Sequence, residues 1–551
     1  MGKFFDDISD HHAEWIRQQK LFFVSSAPLD PNGKVNLSPK GHDCFRVIGP
    51  NQVCYLEMTG SGIETQSHVE ENNRITIMFC AFEGAPRIMR LFGTGTVHRV
   101  GSPEFNTLFN NHYTSDNCDI HDSTGKRSII VIDVYKVGSS CGYGVPYYDY
   151  KGSRPTLTNY WGKKSEDQVA DYWVKKNTTS LDGLPGMRHV KMGEKWVPIS
   201  KGGRKVTLVG GEEVESWWEL GSKIFSRSCF NFLTFASYFL LCLPNTLCLP
   251  LLYKFTHSHA PFLFNQHSHH AKHFLSSLLF STFPFVHHHH HYTMGQFYDE
   301  MSADQQDWIH KQKMFIVASA PLSATGTINA SPKGYDCFRI IDANKACYLE
   351  MTGSGIETQS HVEENGRLTI MFMAFEGAPK ILRLFGRGHV CRVDTPEYQR
   401  LYDAHYRGTS PDFEAIEGKR SIIVITVEKV GISCGFGVPY YEYKENRPTL
   451  LNYWGKKTED QVADYWVKKN KQSVDGLPGM KHERMDEVGG CEYQKDVPPP
   501  VMANKRSVKG GSSPLGWIAE LSQTQLLTIG AVAAAAFGAG VAASSTLLLR
   551  K

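Results

Sequence analysis

The chain has 551 residues and nearly balanced charge, with 59 Lys and Arg against 56 Asp and Glu. That length predicts about two to four domains, each able to bury its own core. A net charge of +3 and the lack of a basic stripe interleaved with aromatic residues argue against a nucleic-acid-binding protein. The 13 cysteines show neither the density of a disulfide scaffold nor a CxxC pair, so we predict a reduced, intracellular core and no metal site.

The first 177 residues read mainly as short strands. A helix is predicted from His11 to Gln19, capped by Ser9 or Asp10, and an apolar run from Leu21 to Ala27 follows it. Stretches rich in β-branched and aromatic residues then recur between turn formers, which favours a closed or split antiparallel barrel. These six predicted strands are Val35–Ser38, Cys44–Ile48, Val53–Glu57, Ile75–Ala81, Ile88–Val100 and Ser128–Val137. The segment 154–177 ends in a helix with a capping box, Ser165 with Gln168.

The chain contains this unit twice. The stretch YLEMTGSGIETQSHVEEN runs from Tyr55 to Asn72 and recurs letter for letter from Tyr348 to Asn365, an offset of 293 residues. The same offset relates Met1 to Met294 and the two DGLPGM segments, so no insertion or deletion separates the copies. We therefore predict a duplicated domain. Its copies are expected at 1–190 and 294–488, joined by 191–293 and followed by a flexible linker at 489–525.

The segment between the copies has an unusual composition. It has no Asp or Glu from Leu220 to Tyr298, and 11 of the 24 histidines fall between His257 and His291. A membrane segment around Cys229–Tyr253, a histidine-rich metal-binding tract, and translated non-coding sequence joining two adjacent genes all fit this pattern. We prefer the third interpretation, because Met294 is in register with Met1 as an independent start would be.

The last segment is apolar. Residues Leu526–Leu549 contain no charge and are followed only by Arg550 and Lys551. A helix of that length crosses a bilayer core of ~30 Å, so we predict a transmembrane tail anchor. The basic residues upstream favour a location of both domains on the cytosolic face of an intracellular membrane, with cytoplasmic as the alternative.

Four places in each copy offer groups for a ligand. The repeated stretch places a TGSG loop between a strand and a helix start, where free N–H groups and the helix dipole favour an anion such as phosphate. The segments NLSPKG and RIMRLFGTG add a hydroxyl, a lysine and an arginine that could clamp phosphate. The fourth place pairs Arg154 with Trp161, whose indole could stack on a planar ring.

Other reactive residues have simpler interpretations. His68 is expected to pack within its helix rather than catalyse, and Cys44, Cys54 and Cys141 are expected to be small core residues. No Ser/His/Asp or Cys/His signature supports a hydrolase, and we assign no catalytic residue. The site has the features of a cofactor-binding site.

The ordered motifs SPKG, YLEMTGSG, HVEENNRITIMF and FEGAPRIMRLFGTG resemble the pyridoxamine 5'-phosphate oxidase-like family of flavin-binding split barrels. The resemblance covers residues 4–151 and 297–444. It implies a mainly β (α+β) chain of two tandem six-stranded Greek-key split β-barrels with flanking helices. It also implies that FMN or a related flavin binds at a dimer interface, here an intramolecular pseudo-dimer or a homodimer of barrels.

The resemblance also implies which residues bind the cofactor. Ser38 and Lys40 would border the flavin, Thr59 and Ser61 would lie on the phosphate loop, and Arg90 would lie on the arginine-bearing strand. The complete set of expected cofactor-binding residues is Ser38, Lys40, Thr59, Ser61, Gly62, Thr65 and Arg90, with their counterparts Ser331, Lys333, Thr352, Ser354, Gly355, Thr358 and Arg383. Within the loop, Glu64 stands where the family has basic residues.

These features predict an FMN-dependent oxidoreductase that acts on a small-molecule substrate and is tethered to a membrane. The alternative is a non-catalytic module that binds flavin or haem, which the lack of basic residues in the loop favours.

Overall fold

In the computed structural model, the described residues are 2–187, 206–207, 213–214, 295–414 and 416–481. They belong to one compact unit, Met1–Tyr493, and a second unit, Gln494–Lys551, lies outside them. The predicted tail anchor Leu526–Leu549 and most of the segment 191–293 also lie outside them, so both interpretations stay predictions. Among the residues that are described, no helix is long and apolar enough to cross a membrane.

The first copy (copy 1) alternates short strands with five helices across its described residues. Its elements are β1 (Lys3–Phe5), α1 (Asp10–Gln18), β2 (Phe22–Ser26), β3 (Asn36–Lys40), β4 (Phe45–Gly49), β5 (Gln52–Met58), α2 (Glu64–Asn72), β6 (Arg74–Cys80), β7 (Ile88–Arg99), α3 (Pro103–His112), β8 (Lys126–Ser140), β9 (Tyr147–Gly152), α4 (Thr156–Trp161) and α5 (Glu166–Lys176). A two-residue pair, β10 (Val206–Thr207) with β11 (Glu213–Val214), follows it.

The second copy (copy 2) repeats this order with one additional short helix. Its elements are β12 (Gln296–Tyr298), α6 (Ala303–His310), β13 (Met314–Ser319), β14 (Asn329–Gly334), β15 (Phe338–Asp342), β16 (Lys345–Met351), α7 (Glu357–Asn365), β17 (Arg367–Met373), β18 (Ile381–Arg392), α8 (Pro396–His405), α9 (Pro411–Glu414), β19 (Lys419–Ser433), β20 (Tyr440–Glu445), α10 (Thr449–Trp454) and α11 (Glu459–Lys469).

Each copy builds one antiparallel sheet, in the order β3-β2-β6-β7-β8-β5-β4 for copy 1, with β1 paired to β8. Copy 2 has the same strand order. Each copy is therefore mainly β with flanking helices, consistent with tandem split barrels. The predicted count of six strands is too low, because each sheet has eight. The apolar run before Pro28 forms β2, and Lys3–Phe5 adds an edge strand.

Local signals explain most helix ends. Ser9 accepts a hydrogen bond from the His12 amide and caps α1, and the predicted capping box of Ser165 and Gln168 is present at α5. The helix α3 was not predicted, although Ser102 caps it and Pro103 opens it. Strand β9 was also missed, since its hydrogen-bonding partner is β20 of the other copy.

The central strands are buried on both faces because each copy packs against the other. Phe22 and Val24 of β2 point into the core of copy 1, whereas Phe23 points into a second core shared by both copies. The side chains of β6 alternate in the same way, with Ile77 in the core of copy 1 and Met78 in the shared core. Because successive side chains of a strand point to opposite faces, an uninterrupted apolar strand requires two buried faces.

A pair of buried arginines also joins the copies. The Arg154 guanidinium donates to the carbonyl oxygens of Val438 (2.8 Å), Gly377 (2.7 Å) and Ala374 (2.9 Å), all in copy 2. It also lies 3.9 Å from the centre of the Tyr440 ring.

Arg447 makes the reciprocal set of contacts with copy 1, to the carbonyls of Val145, Gly84 and Ala81 and to the Tyr147 ring. Both arginines are 0% exposed. These contacts fix the position of one copy on the other.

We predict that Arg154→Ala lowers the free energy of unfolding by at least about 3 kcal/mol, because three buried carbonyls lose a charged donor. Urea unfolding at neutral pH measures this change. The matched control is Lys151→Ala, which removes an ion pair to Glu442 of 2.8 Å that also joins the two copies, but at a side chain that is 48% exposed. The control should cost no more than about 1 kcal/mol, and equal losses in the two variants would contradict the structural role of Arg154.

Candidate functional site

Two cavities, of about 440 and 530 Å³, lie between the copies. The smaller, which we call site 1, is lined by Ser38, Lys40, Thr59, Ser61, Gly62 and Thr65 from copy 1. The larger, site 2, is lined by Ser331, Lys333, Thr352, Ser354, Gly355 and Thr358 from copy 2. Both volumes are typical of small-molecule pockets. The structure therefore brings each predicted set of hydroxyl, lysine and glycine residues together.

The arginines are exchanged between the copies. Arg383 of copy 2 lines site 1 and Arg90 of copy 1 lines site 2, so the structure places Arg90 with the loop of copy 2 rather than with Ser38. The cause is visible at Arg383, whose Nε donates to the carbonyl oxygen of Leu37 on β3 at 2.6 Å while its Nη1 donates to Ser433 at 2.8 Å. The Nη2 of Arg383 has no hydrogen-bond partner among the described residues, so it is available to a ligand. Each site is complete only when both copies contribute.

The loop before α2 has the expected strand-loop-helix geometry. Helix α2 begins at Glu64, and its N-cap Ile63 makes no side-chain hydrogen bond to the first turn. The first amides of the helix therefore lack a capping side chain at the wall of the site, which is the arrangement that favours anions.

Two of the predicted hydroxyls support the loop rather than face a ligand. Thr59 accepts a hydrogen bond from the Trp173 indole at 2.8 Å, and Thr65 accepts one from Asn36 at 2.9 Å. Both threonines are buried, at 3% and 5% exposure. Ser61 is partly exposed, and its hydroxyl makes no hydrogen bond to any described residue. Of the three hydroxyls, Ser61 is the one open to a ligand.

Gly62 makes room for the carboxylate of Glu64. A Cβ at Gly62 would lie 2.0 Å from Glu64 Oε2, so any other residue would displace that side chain. Burial lowers the pKa of Arg383 to about 10, and the negative charge of Glu64 acts on it in the opposite direction. The acidic residue of the copy 1 loop therefore favours the charged form of an arginine from copy 2.

The loop has no cation of its own, but three others line site 1. Arg127 of β8 donates to the Gly62 carbonyl at 2.8 Å, and Lys175 and Lys176 come from the last turn of α5. Sequence reasoning missed them because they are distant in the chain from the loop. The pair Lys175 and Lys176 at the C-terminal end of α5 was the one sequence feature that could have indicated these cations.

A buried carboxylate organises the floor of site 1. Glu57 is 1% exposed and binds Lys40 at 3.1 Å, Arg127 at 3.3 Å and Gln66 at 2.7 Å. Burial raises the pKa of Glu57, but Arg127 and Lys40 outweigh burial and hold the pKa at about 2. Lys40 thus has a structural partner in addition to its place in the cavity wall. Burial and two cations act on Glu350 in site 2 in the same way, and its pKa is also lowered.

The Arg154 and Trp161 pair does not form a ring-stacking site. Arg154 is bound to copy 2 as described above, and Trp161 is 1% exposed and packs edge-on against Tyr160 and Tyr172. His68 packs as expected, with its Nδ1 at 3.0 Å from the Ser26 hydroxyl. Burial lowers the pKa of His68 to about 3, so the imidazole is neutral near pH 7.

The two sites differ at several wall positions, which the repeat pattern hid. His42 in site 1, whose Nδ1 lies 2.6 Å from Asp119, corresponds to Tyr335 in site 2, whose hydroxyl donates to the Arg447 carbonyl. Both residues have positive φ, 63° and 61°, which is uncommon outside glycine. Five further wall positions differ, each given with the site 1 residue first: Ile120 and Phe413, Thr179 and Gln472, Leu181 and Val474, Ile432 and Ser139, and Phe436 and Tyr143.

Together these features define a duplicated β-barrel protein with two small-molecule sites at the contact between its copies. The family model for pyridoxamine 5'-phosphate oxidase matches residues 301–434. The pyridoxamine 5'-phosphate oxidase family protein ustO of Aspergillus flavus is 39% identical over 211 residues, which cover 35% of this chain and 81% of that protein. The chain therefore belongs to the pyridoxamine 5'-phosphate oxidase family, and it contains the family domain in two tandem copies.

Solved structures also match parts of the chain. HupZ of Group A Streptococcus is 23% identical, with 24% of this chain and 91% of HupZ covered and a TM-score of 0.19. A FAD-binding protein from Mesorhizobium loti is 8% identical, with 25% of this chain and 97% of that protein covered and a TM-score of 0.17.

The Glu57 network predicts a specific dependence of stability on pH. Because the folded pKa of about 2 lies below the ordinary value of 4.5, the contribution of Glu57 is complete above about pH 4.5 and is lost as pH falls toward 2. Glu57→Gln should therefore destabilise the protein by about 3 kcal/mol at pH 7, and the gap to the wild type should narrow below pH 4.5.

Urea unfolding between pH 7 and pH 3 measures that gap. The control is Glu14→Gln, which changes a side chain that is 63% exposed, forms an ion pair with Arg17 at 3.4 Å and accepts a hydrogen bond from Gln18 at 3.2 Å. This control should change stability by less than about 1 kcal/mol at every pH. A gap for Glu57→Gln that stays constant down to pH 3 would show that its charge is not held by the folded structure.

Proposed function

We propose that sites 1 and 2 each bind FMN or a closely related flavin and that the protein is an oxidoreductase acting on a small molecule. The observation that carries this proposal is the composition of site 1: an uncapped helix start, the Ser61 hydroxyl and the Arg383 guanidinium meet at one cavity. Family membership supports the same cofactor class. Hydroxyl, guanidinium and free amide groups are the donors that bind phosphate in proteins.

The remaining walls suit a planar ring. Phe297, Phe385 and Ile381 of copy 2 and Met58 of copy 1 also line site 1. The two copies approach closely there, since a Cβ at Gly41 would lie 2.2 Å from the Gly437 carbonyl oxygen. A ring held between apolar walls, with its phosphate at the loop, would be shielded from water on both sides.

A bound flavin would supply the redox chemistry by accepting or donating a hydride, and the protein would supply placement and electrostatics. Arg383, Lys175 and Lys176 would neutralise the phosphate. The buried Glu57 would fix Lys40 in the wall of the site rather than exchange a proton, because its pKa is far below neutral. We assign no general acid or base.

The exchange of arginines gives a crossed test of the proposal. A Cβ at Gly353 meets no atom within 4 Å, so Gly353→Glu adds a negative charge to the site 2 loop without a clash. Combined with Arg90→Ala, it should damage site 2 only and leave one flavin per chain. Combined with Arg383→Ala, it should damage both sites, with at least about tenfold weaker binding at each.

Equilibrium dialysis of the full-length chain with FMN measures the stoichiometry, and Gly353→Gln is the neutral control for the loop. If Gly353→Glu with Arg383→Ala retains one flavin while the pair with Arg90→Ala retains none, then each arginine serves the loop of its own copy. Failure of the unmodified chain to take up FMN would defeat the cofactor proposal itself. A flavin spectrum that bleaches with reductant but shows no turnover would favour the non-catalytic module.

A further inference from the structure

A group of potential metal ligands lies outside both sites, on copy 2. His389 and Cys391 belong to β18, and Glu397 belongs to the first turn of α8. Their ligand atoms all lie within 4.8 Å of one another, and His389 Nε2 is 3.0 Å from Glu397 Oε2. None of the three lines site 1 or site 2.

The local structure holds these side chains together. His389 and Cys391 are two residues apart on one strand, so their side chains point to the same face. Thr395 then connects the strand to the helix, because its hydroxyl donates to the Arg392 carbonyl at 2.7 Å and accepts from the Tyr398 amide at 3.2 Å. The cap therefore places Glu397 opposite the two strand residues.

The three groups also match the preferences of one metal. Thiolate, imidazole and carboxylate bind Zn²⁺ at about 2.0–2.3 Å in tetrahedral geometry. His389 and Glu397 are 63% and 46% exposed, so small rotations of their side chains would bring their ligand atoms to those distances. Cys391 is 1% exposed and fixed in the core.

Copy 1 provides a natural comparison at the corresponding positions, 293 residues earlier. Thr96 stands in place of His389, His98 in place of Cys391, and Glu104 in place of Glu397. Copy 1 therefore has two potential ligands, His98 and Glu104, instead of three, and it has no thiol among them. The copies differ at the positions of His389 and Cys391 and share the glutamate, while much of the surrounding sequence is the same.

We propose that His389, Cys391 and Glu397 form a zinc site in copy 2, with water as the fourth ligand. The bound ion joins β18 to the start of α8 and replaces the direct contact between His389 and Glu397. The absence of a CxxC pair predicted no metal site, but the ligands proposed here have a different spacing, His-x-Cys-x5-Glu.

Cobalt(II) provides the test, because a bound thiolate gives Co²⁺ an ultraviolet charge-transfer band that imidazole ligands do not give. This distinction is needed because the run His287–His291 of the full-length chain could also bind metal ions. Titration of the metal-free, full-length chain with Co²⁺ should give this band at one ion per chain. Zn²⁺ should then displace the cobalt and remove the band.

Variants assign the band to its ligands. Cys391→Ser should abolish it, and His389→Thr, which introduces the residue of copy 1 at an exposed position, should weaken Co²⁺ binding by at least about tenfold. His98→Thr in copy 1 is the matched control and should leave the band unchanged. The proposal is overturned if no band forms, if the band survives in Cys391→Ser, or if His389→Thr binds Co²⁺ as tightly as the unmodified chain.

Discussion

Arg154 and Arg447 each donate to three main-chain carbonyls of the opposite copy while remaining fully buried. A guanidinium removed from water is costly unless its donors are paired, so these arginines are stable only in the assembled pair of copies. The shared apolar core has the same requirement, because Phe23 and Met78 would be exposed on a separate copy. The association of the copies is therefore a condition for the fold of each.

The sites depend on the same association. Arg383 reaches site 1 because its Nε binds the Leu37 carbonyl on β3 of the other copy. That bond joins the two copies and holds the guanidinium at the edge of the cavity. One residue therefore serves both the association of the copies and the proposed anion site. A change that separated the copies would remove an arginine from both sites at once. Stability and ligand binding are thus coupled through the interface rather than through either core alone.

Sequence predicted those features that depend on neighbouring residues. The strand, glycine loop and helix from Tyr55 to Asn72 follow from local propensity, and the cap at Ser165 follows from a four-residue pattern. The arginine exchange could not be predicted, because both copies carry the same arginine and the same loop, which gives no sequence signal for which Arg meets which loop. Trp161 was misassigned for a related reason, since burial by distant residues decides whether an aromatic ring faces a ligand or a core.

The repeat itself also concealed where the copies differ. Residues that support the shared architecture, such as Glu57 and Glu350, occupy matching networks in both copies. The match matters most at the contact between the copies, since each site takes an arginine from the opposite copy. Positions such as His42 and Tyr335, at the walls of separate cavities, are free of that constraint. Duplication in one chain therefore allows the two sites to become chemically different while the contact that creates them stays the same.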